Sequence, residues 1–178
     1  EQGTVTNALN SNYDITSFTG AKFTITTRAL SVTADAKSKT YGEKDPALKA
    51  STVGLVEGDT LVGDLSRDPG DNVGTFDITQ GTVTDALNPN YKINFTKGTF
   101  TINKLAVTVT AVAKSMTYGD SPQPGLTFTT SPADIALNGS LSRTGDDNAG
   151  TFDIEQGTVT NALNSNYDIT SFTGAKFT

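Results

Sequence analysis

The stretch YKINFTKGTFTINKLAVTVTA, residues 91–111, decides the fold class of this chain. Apolar and polar residues alternate along it, and period-two alternation is typical of β-strands with one buried face. Lys97 and Gly98 separate the first two runs with a turn. The residues expected to face inward are Tyr91, Ile93 and Phe95 in the first run and Phe100 and Ile102 in the second. The stretch therefore predicts consecutive short strands.

The composition of the whole chain fits the same class. Its 178 residues are 35% hydrophobic and include no cysteine, histidine or tryptophan. Runs of threonine, valine, isoleucine and phenylalanine are separated by glycine, asparagine, aspartate and proline, which is typical of strands joined by turns. The net charge of −6 argues against nucleic acid as a partner, and no apolar run approaches the roughly 20 residues of a membrane span. We predict an all-β protein.

The sequence repeats itself. The string EQGTVTNALNSNYDITSFTGAKFT occupies residues 1–24 and again residues 155–178, and a diverged copy occupies residues 79–101. Between the segments 65–91 and 141–167, 20 of 27 positions are identical. The repeating unit is therefore about 77 residues long, which is the sequence signature of a tandem array.

These offsets divide the chain into three parts. Residues 1–27 correspond to the C-terminal part of a preceding repeat, residues 28–104 form a complete repeat, and residues 105–178 form a second repeat whose last strand is truncated. Residues 1–24 hold too few strands to bury a core alone. We expect this segment to be poorly ordered or to be completed by another molecule.

Alternation and turn residues predict about seven short strands per repeat, the number expected of a small Ig-like β-sandwich. An alternative is a β-grasp-like unit, in which residues 54–60 form a helical turn over a single sheet. Whether the first and seventh strands share a sheet distinguishes the two. The predicted strands of the first repeat are 29–36, 48–53, 61–66, 73–79, 81–86, 91–96 and 99–103.

One irregularity is predicted inside the strands. The run YDITSF at 167–172 has one residue more than YKINF at 91–95, although the following phenylalanines keep their spacing. An insertion that leaves the apolar set in place is what a β-bulge produces. We expect a bulge near Ser171 and a second near Ser17.

The boundaries between repeats lack a flexible linker. The last strand of the first repeat runs into the first strand of the second with only Asn103 and Lys104 between them. No Gly/Ser-rich or Pro-rich tether intervenes. Repeats joined in this way contact chiefly their neighbours and should form a stiff rod.

The motifs TYG (40–42 and 117–119), GLVEGDTLVGDLSR (54–67), NVGTFDI (72–78) and QGT (80–82), together with NPNY and GTFTI further on, resemble the MBG repeat of the YGX type, a "mostly β, glycine-rich" module. The second repeat departs from the pattern at residues 131–143. The resemblance implies tandem arrays in bacterial surface or secreted proteins, often adhesin-like ones. It implies an extracellular location and supplies no catalytic residues.

Catalysis is not expected. Without histidine and cysteine, the common nucleophile–base systems are unavailable. The acidic residues lie mostly in turns, where solvated capping is their ordinary role. We expect no catalytic residues and no cofactor.

Calcium is the more serious chemical candidate. Two corresponding turns crowd oxygen ligands, which hard cations prefer. The acids change position between the repeats, and neither turn matches an EF-hand, so polar turns are the favoured interpretation and no metal is expected. The calcium candidates are Asp68, Asp71 and Asn72 in the first repeat and Asp146, Asp147 and Asn148 in the second.

Two other sets of residues occupy matched positions. Lys37 and Lys114 suggest the Lys–Asn isopeptide bonds that stiffen some surface stalks, but the position of Asn161 holds Asp85 in the first repeat. The second set is Tyr41 and Tyr118, for which we expect packing at the edge of the core rather than ligand stacking.

The leading hypothesis is a structural stalk or spacer of a bacterial cell-surface or secreted adhesin, which projects a distal binding region. Its expected partners are the neighbouring repeats. The alternative is a weak multivalent module that binds glycans or host proteins. An aromatic cleft exposed in both repeats would favour the alternative.

Overall fold

A computed structural model describes residues 3–9 and 11–178; residues 1, 2 and 10 of the predicted N-terminal segment lie outside the described residues. The described residues contain thirteen strands, one 3-10 turn and no α-helix, so the all-β prediction is confirmed. No helix in this part of the chain is long and apolar enough to span a membrane. The first repeat contains β1 (Arg28–Ala34), β2 (Lys37–Thr40), β3 (Ala50–Val53), β4 (Ser66–Arg67), β5 (Gly74–Thr79), β6 (Tyr91–Thr96) and β7 (Gly98–Asn103), and the second contains β8 (Leu105–Ala111), β9 (Phe128–Ser131), β10 (Ser142–Arg143), β11 (Phe152–Glu155), β12 (Tyr167–Thr173) and β13 (Ala175–Phe177).

Each repeat is built from two sheets. In the first repeat the strand orders are β3-β1-β6 and β2-β7-β5-β4, and in the second they are β12-β8-β9 and β10-β11-β13. Strands β1 and β7 lie in different sheets, which is the outcome expected of a two-layer unit. The pairs β1–β6 and β2–β7 are parallel, a feature that an antiparallel Ig sandwich does not have and that periodicity cannot predict. Residues 54–60 form a turn closed by the Asp59 N–H on the Val56 carbonyl, rather than a helix.

The core follows from the alternation in the strands. Leu30, Val32, Phe100 and Ile102 are all almost fully buried, which confirms the inward orientation predicted for Phe100 and Ile102. Ala36 lies on the same side of the predicted strand 29–36 as Leu30 and Val32 but is exposed, because the chain leaves one sheet after Ala34 and enters the other at Lys37. The second repeat buries an equivalent set, which consists of Val107, Val109, Ala111, Leu141, Ile154, Val159 and Phe177.

Two predicted strands are wrong. Residues 81–86 form turns, and of residues 61–66 only Ser66 lies in a strand. The buried side chain of Asn88 explains both differences, since its Oδ1 accepts from the Val62 N–H and its Nδ2 donates to the carbonyls of Val62 and Thr84, each at 2.9 Å. These bonds satisfy backbone groups that a strand ladder would otherwise pair. Asn164 does the same in the second repeat.

The predicted bulge near Ser171 is confirmed. Strand β12 pairs Ile169 with Val107 and then Ser171 with Thr108, so that Thr170 is left over. The corresponding bulge near Ser17 is wrong, because residues 11–27 form no strand at all. Completion of this segment by another molecule stays a prediction.

Candidate functional site

The junction between the two repeats is short. Strand β7 ends at Asn103 and strand β8 begins at Leu105, so Lys104 is the one residue between them. The Tyr41 N–H donates to the Asn103 carbonyl at 2.8 Å on the first side, and the Leu105 N–H donates to the Asn166 carbonyl at 3.1 Å on the second. The connecting backbone is thus held by both repeats.

Side chains cross this junction and join the repeats directly. The Val73 N–H donates to Asn166 Oδ1 at 2.9 Å, and Asn166 Nδ2 donates to Asn72 Oδ1 at 2.8 Å. The rings of Tyr41 and Tyr167 meet edge-to-face with centroids 5.4 Å apart. Such an aromatic pair contributes about 1 kcal/mol beyond its buried area. The junction therefore has both polar and apolar contacts.

The local sequence positions these groups. Asn166 and Tyr167 are the last two residues of a turn closed by the Tyr167 N–H on the Asn164 carbonyl at 2.9 Å, and this turn leads directly into β12. Burial raises the pKa of the Tyr167 hydroxyl, and the neighbouring Tyr41 raises it further. Tyr41 packs against the core of its own repeat, in the role expected of it, and also against the next repeat. The second of these contacts is not visible in the sequence of one repeat.

The calcium candidates of the first repeat lie in a turn organised by an arginine. Arg67 Nη1 donates to the carbonyls of Asp68 and Gly70 at 2.9 and 2.7 Å, and Arg67 Nη2 lies 3.5 Å from the Asp71 carboxylate. Asn72 is used in the junction. The Arg67 guanidinium therefore pairs with two carbonyls and one carboxylate of this turn.

The candidates of the second repeat show the same organisation. Arg143 donates to the Asp146 carbonyl at 2.6 Å and forms an ion pair with Asp147. The Asp146 carboxylate accepts from the backbone N–H and from the side-chain amide of Asn148, which together hold its pKa below the ordinary value. Among residues 3–9 and 11–178, no three acidic side chains form a group that could hold a metal ion.

Arg67 and Arg143 are the residues that sequence reasoning missed. The Arg67 guanidinium lies 4.8 Å from the centroid of the Phe100 ring, and that of Arg143 lies 5.3 Å from the Phe177 ring, which is favourable cation–π geometry. Arg67 and Lys39 both ion-pair with Asp45 and lower its pKa. The shared tripeptide LSR was the available signal.

Asn161 and Asp85, which stand at the proposed acceptor position of the isopeptide bond, have other partners. Asp85 forms an ion pair with Lys92 and accepts from the Ile93 N–H. Asn161 accepts from the Ile169 N–H and donates to Asp168 at 3.2 Å. Both side chains therefore hold the turn that leads into a strand.

The second repeat carries an open cleft of about 600 Å³. Its position corresponds to the surface of the first repeat that contacts Asn166 and Tyr167. Here Tyr118 stands at the position of Tyr41 and is 72% exposed, so the packing at the core edge that was expected of Tyr118 is wrong. We call this surface the open end; its lining includes Met116, Tyr118, Arg143, Asn148, Ala149 and Thr178.

Comparison with known proteins gives a family and no individual relative. No curated protein and no solved structure matches the chain significantly. The family model of the MBG domain (YGX type) matches residues 30–101 and again residues 107–178. Since these two matches cover most of the chain and one falls on each repeat, the chain belongs to the MBG domain family of the YGX type.

Proposed function

We propose that this chain is a stiff spacer, a stalk segment of a bacterial cell-surface or secreted adhesin that holds a distal binding region away from its anchor. The observation that carries the proposal is the junction. A single linking residue, two hydrogen bonds through Asn166 and the Tyr41–Tyr167 contact join successive repeats. Repeats that touch only their neighbours through such contacts build an elongated array.

Charge and chemistry support the same role. The net charge of −6 favours solubility of a long exposed array, and the absence of histidine and cysteine from the sequence removes the Ser–His and Cys–His nucleophile systems. The polar turns use their carboxylates for internal ion pairs. A spacer needs no more chemistry than this, and we propose no enzymatic activity.

The alternative, a multivalent binding module, needs one accessible site in each repeat. The cleft beside Tyr118 has that character in the second repeat. In the first repeat, however, the corresponding surface is covered by Asn166 and Tyr167. Glycan binding that is lost in a Tyr118→Ala variant would favour the alternative.

Small-angle X-ray scattering tests the spacer. The chain is compared with a lengthened chain in which residues 25–178 follow Thr178, so that the order of the repeats continues. We expect the maximum dimension to grow roughly in proportion to the number of repeats. A maximum dimension that hardly changes while the mass rises would contradict the proposal.

A further inference from the structure

The second repeat carries the surface that the first repeat uses in the junction. The junction surface of the first repeat consists of Tyr41, Asn72 and Val73. The corresponding residues of the second repeat are Tyr118, Asn148 and Ala149. Tyrosine and asparagine are kept, and the third residue contributes its backbone N–H, which does not depend on residue type.

In the first repeat this surface is covered by the neighbouring repeat, and in the second repeat it is exposed. Val73 is half-buried, whereas Ala149 is exposed. Strand β5 begins at Gly74 next to the junction, while β11 begins two residues later relative to the repeat, at Phe152. The open end therefore carries the corresponding residues of the junction surface without its partner, next to a strand that is shorter by two residues at this end.

The polar groups of the open end are already oriented. Asn148 donates its side-chain amide to Asp146 Oδ2 at 2.7 Å and its backbone N–H to Asp146 Oδ1 at 3.1 Å. These bonds pair the Asn148 backbone N–H and side-chain amide with the exposed Asp146 carboxylate and leave Asn148 Oδ1 as the acceptor. In the junction, the Oδ1 of Asn72 is the atom that accepts from Asn166.

The order of the repeats identifies the occupant. Residues 1–24 are identical to the end of the second repeat, and they run directly into the first repeat at Arg28. A second-type repeat is therefore followed by a first-type repeat, whose residue corresponding to Asn166 is Asn90. Asn90 is exposed at the start of β6.

We propose that the open end of the second repeat binds the Asn90 end of a following first-type repeat. The inference rests on the proposed spacer function, because a tandem array presents that end in this position. Asn148 Oδ1 accepts from the Asn90 side-chain amide, and the Ala149 N–H donates to Asn90 Oδ1. The neighbouring Tyr91 is 6% exposed and its hydroxyl already bonds Val56 and Asp59, so the tyrosine contact differs from that of the first junction. The asparagine bonds define this second junction.

Amide hydrogen exchange by NMR tests the proposal on a lengthened chain in which residues 25–104 follow Thr178. The probe is the Ala149 N–H, and the Val73 N–H of the existing junction is the internal reference. We expect lengthening to slow exchange at Ala149 by about tenfold or more, as hydrogen bonding in a packed contact does. Exchange at Val73 should not change.

Two variants of the appended repeat complete the test. Asn90→Ala should return Ala149 to its fast exchange, while Asn94→Ala, an exposed change on the same strand, should leave it slow. An Ala149 rate that is the same in the original and lengthened chains would overturn the proposal. Slow exchange in a compact particle would contradict the spacer but keep this contact, and fast exchange in an elongated particle would do the reverse.

Discussion

The described residues of the first 24 positions have the same sequence as their counterparts 154 positions later, but the two copies have different structures. The C-terminal copy contains β12 and β13, whereas the N-terminal copy has only a 3-10 turn at Asn7–Leu9. Phe177 is 4% exposed and its counterpart Phe23 is 90% exposed. Identical letters thus adopt strands in one context and not in the other.

The local turn survives in both copies. Asn7 Oδ1 accepts from the Ile15 N–H at 2.8 Å, and Asn161 Oδ1 accepts from the Ile169 N–H at 2.6 Å. This bond spans eight residues and needs nothing from the rest of the repeat. Strand β12 instead pairs with β8, which lies about 60 residues earlier in the chain. The comparison teaches that the turn is encoded locally, while the strands depend on the body of the repeat.

Substitutions of Phe177 and Phe23 should differ more in their effect on stability than any other matched pair. Phe177→Ala removes a buried ring and should lower the free energy of unfolding by about 3 kcal/mol. Phe23→Ala removes the same ring from an exposed position and should change it very little. Chemical denaturation of the two variants measures the difference. Equal losses would mean that the N-terminal copy is packed as well as the C-terminal one.

Substitutions of Gly157 and Gly3 should differ less in their effect on stability. Gly157 has a φ of +58°, and a Cβ there would lie 2.2 Å from the Ser140 carbonyl oxygen. Gly3 has a φ of +62°, but a Cβ there would meet nothing within 4 Å. Both substitutions place a Cβ at a positive φ, which costs about 1 kcal/mol. Gly157→Ala adds the clash with the Ser140 carbonyl oxygen, so it should cost about 2 kcal/mol or more and lower the melting temperature more than Gly3→Ala does. If Gly157→Ala were as stable as the parent chain, the turn at Gly157 would not be packed against Ser140 as described.

A weaker effect than these is the dependence of the free energy of unfolding on pH that Tyr167 introduces. Burial raises the pKa of Tyr167 above that of the unfolded chain. The contribution of Tyr167 to stability is therefore complete below the pKa of the unfolded chain, which is about 10. It is lost as the pH rises through the pKa of the folded state. Tyr167→Phe should reduce the loss of stability above pH about 10, and Tyr13→Phe, at an exposed position, is the matched control. Denaturation curves at neutral and alkaline pH compare the two variants.

Much of the fold was accessible from the sequence. The repeat offsets and the alternation in β1, β6 and β7 predicted the strands and most of the core correctly. The strand predicted at 81–86 failed because Val83 is buried by a turn rather than by a strand ladder. The Asn88 side chain holds this turn through the Thr84 carbonyl, and period-two alternation does not distinguish such a turn from a strand. The bulge predicted near Ser17 failed because strand formation there requires partners that this copy lacks.

The candidate site was less accessible. The sequence showed that the linker is short, and it singled out Tyr41 and Asn72 without linking them. It did not show that Asn166 bonds Asn72 and Val73, because those residues lie more than 90 positions apart. Nor did it reveal Arg67 and Arg143, since their role depends on rings from two other strands. Contacts between repeats are a property of the array rather than of one unit.

We expect the packed junction to fix the orientation of one repeat relative to the next. The chain has no native cysteine, so Thr33→Cys and Thr129→Cys, exposed positions in separate repeats, can carry a pair of spin labels. Pulsed electron paramagnetic resonance then measures the distribution of distances between them. We predict one narrow distribution that broadens in Asn166→Ala and is unchanged in the matched Asn12→Ala variant. A broad distribution in the parent chain, unaffected by Asn166→Ala, would contradict the account.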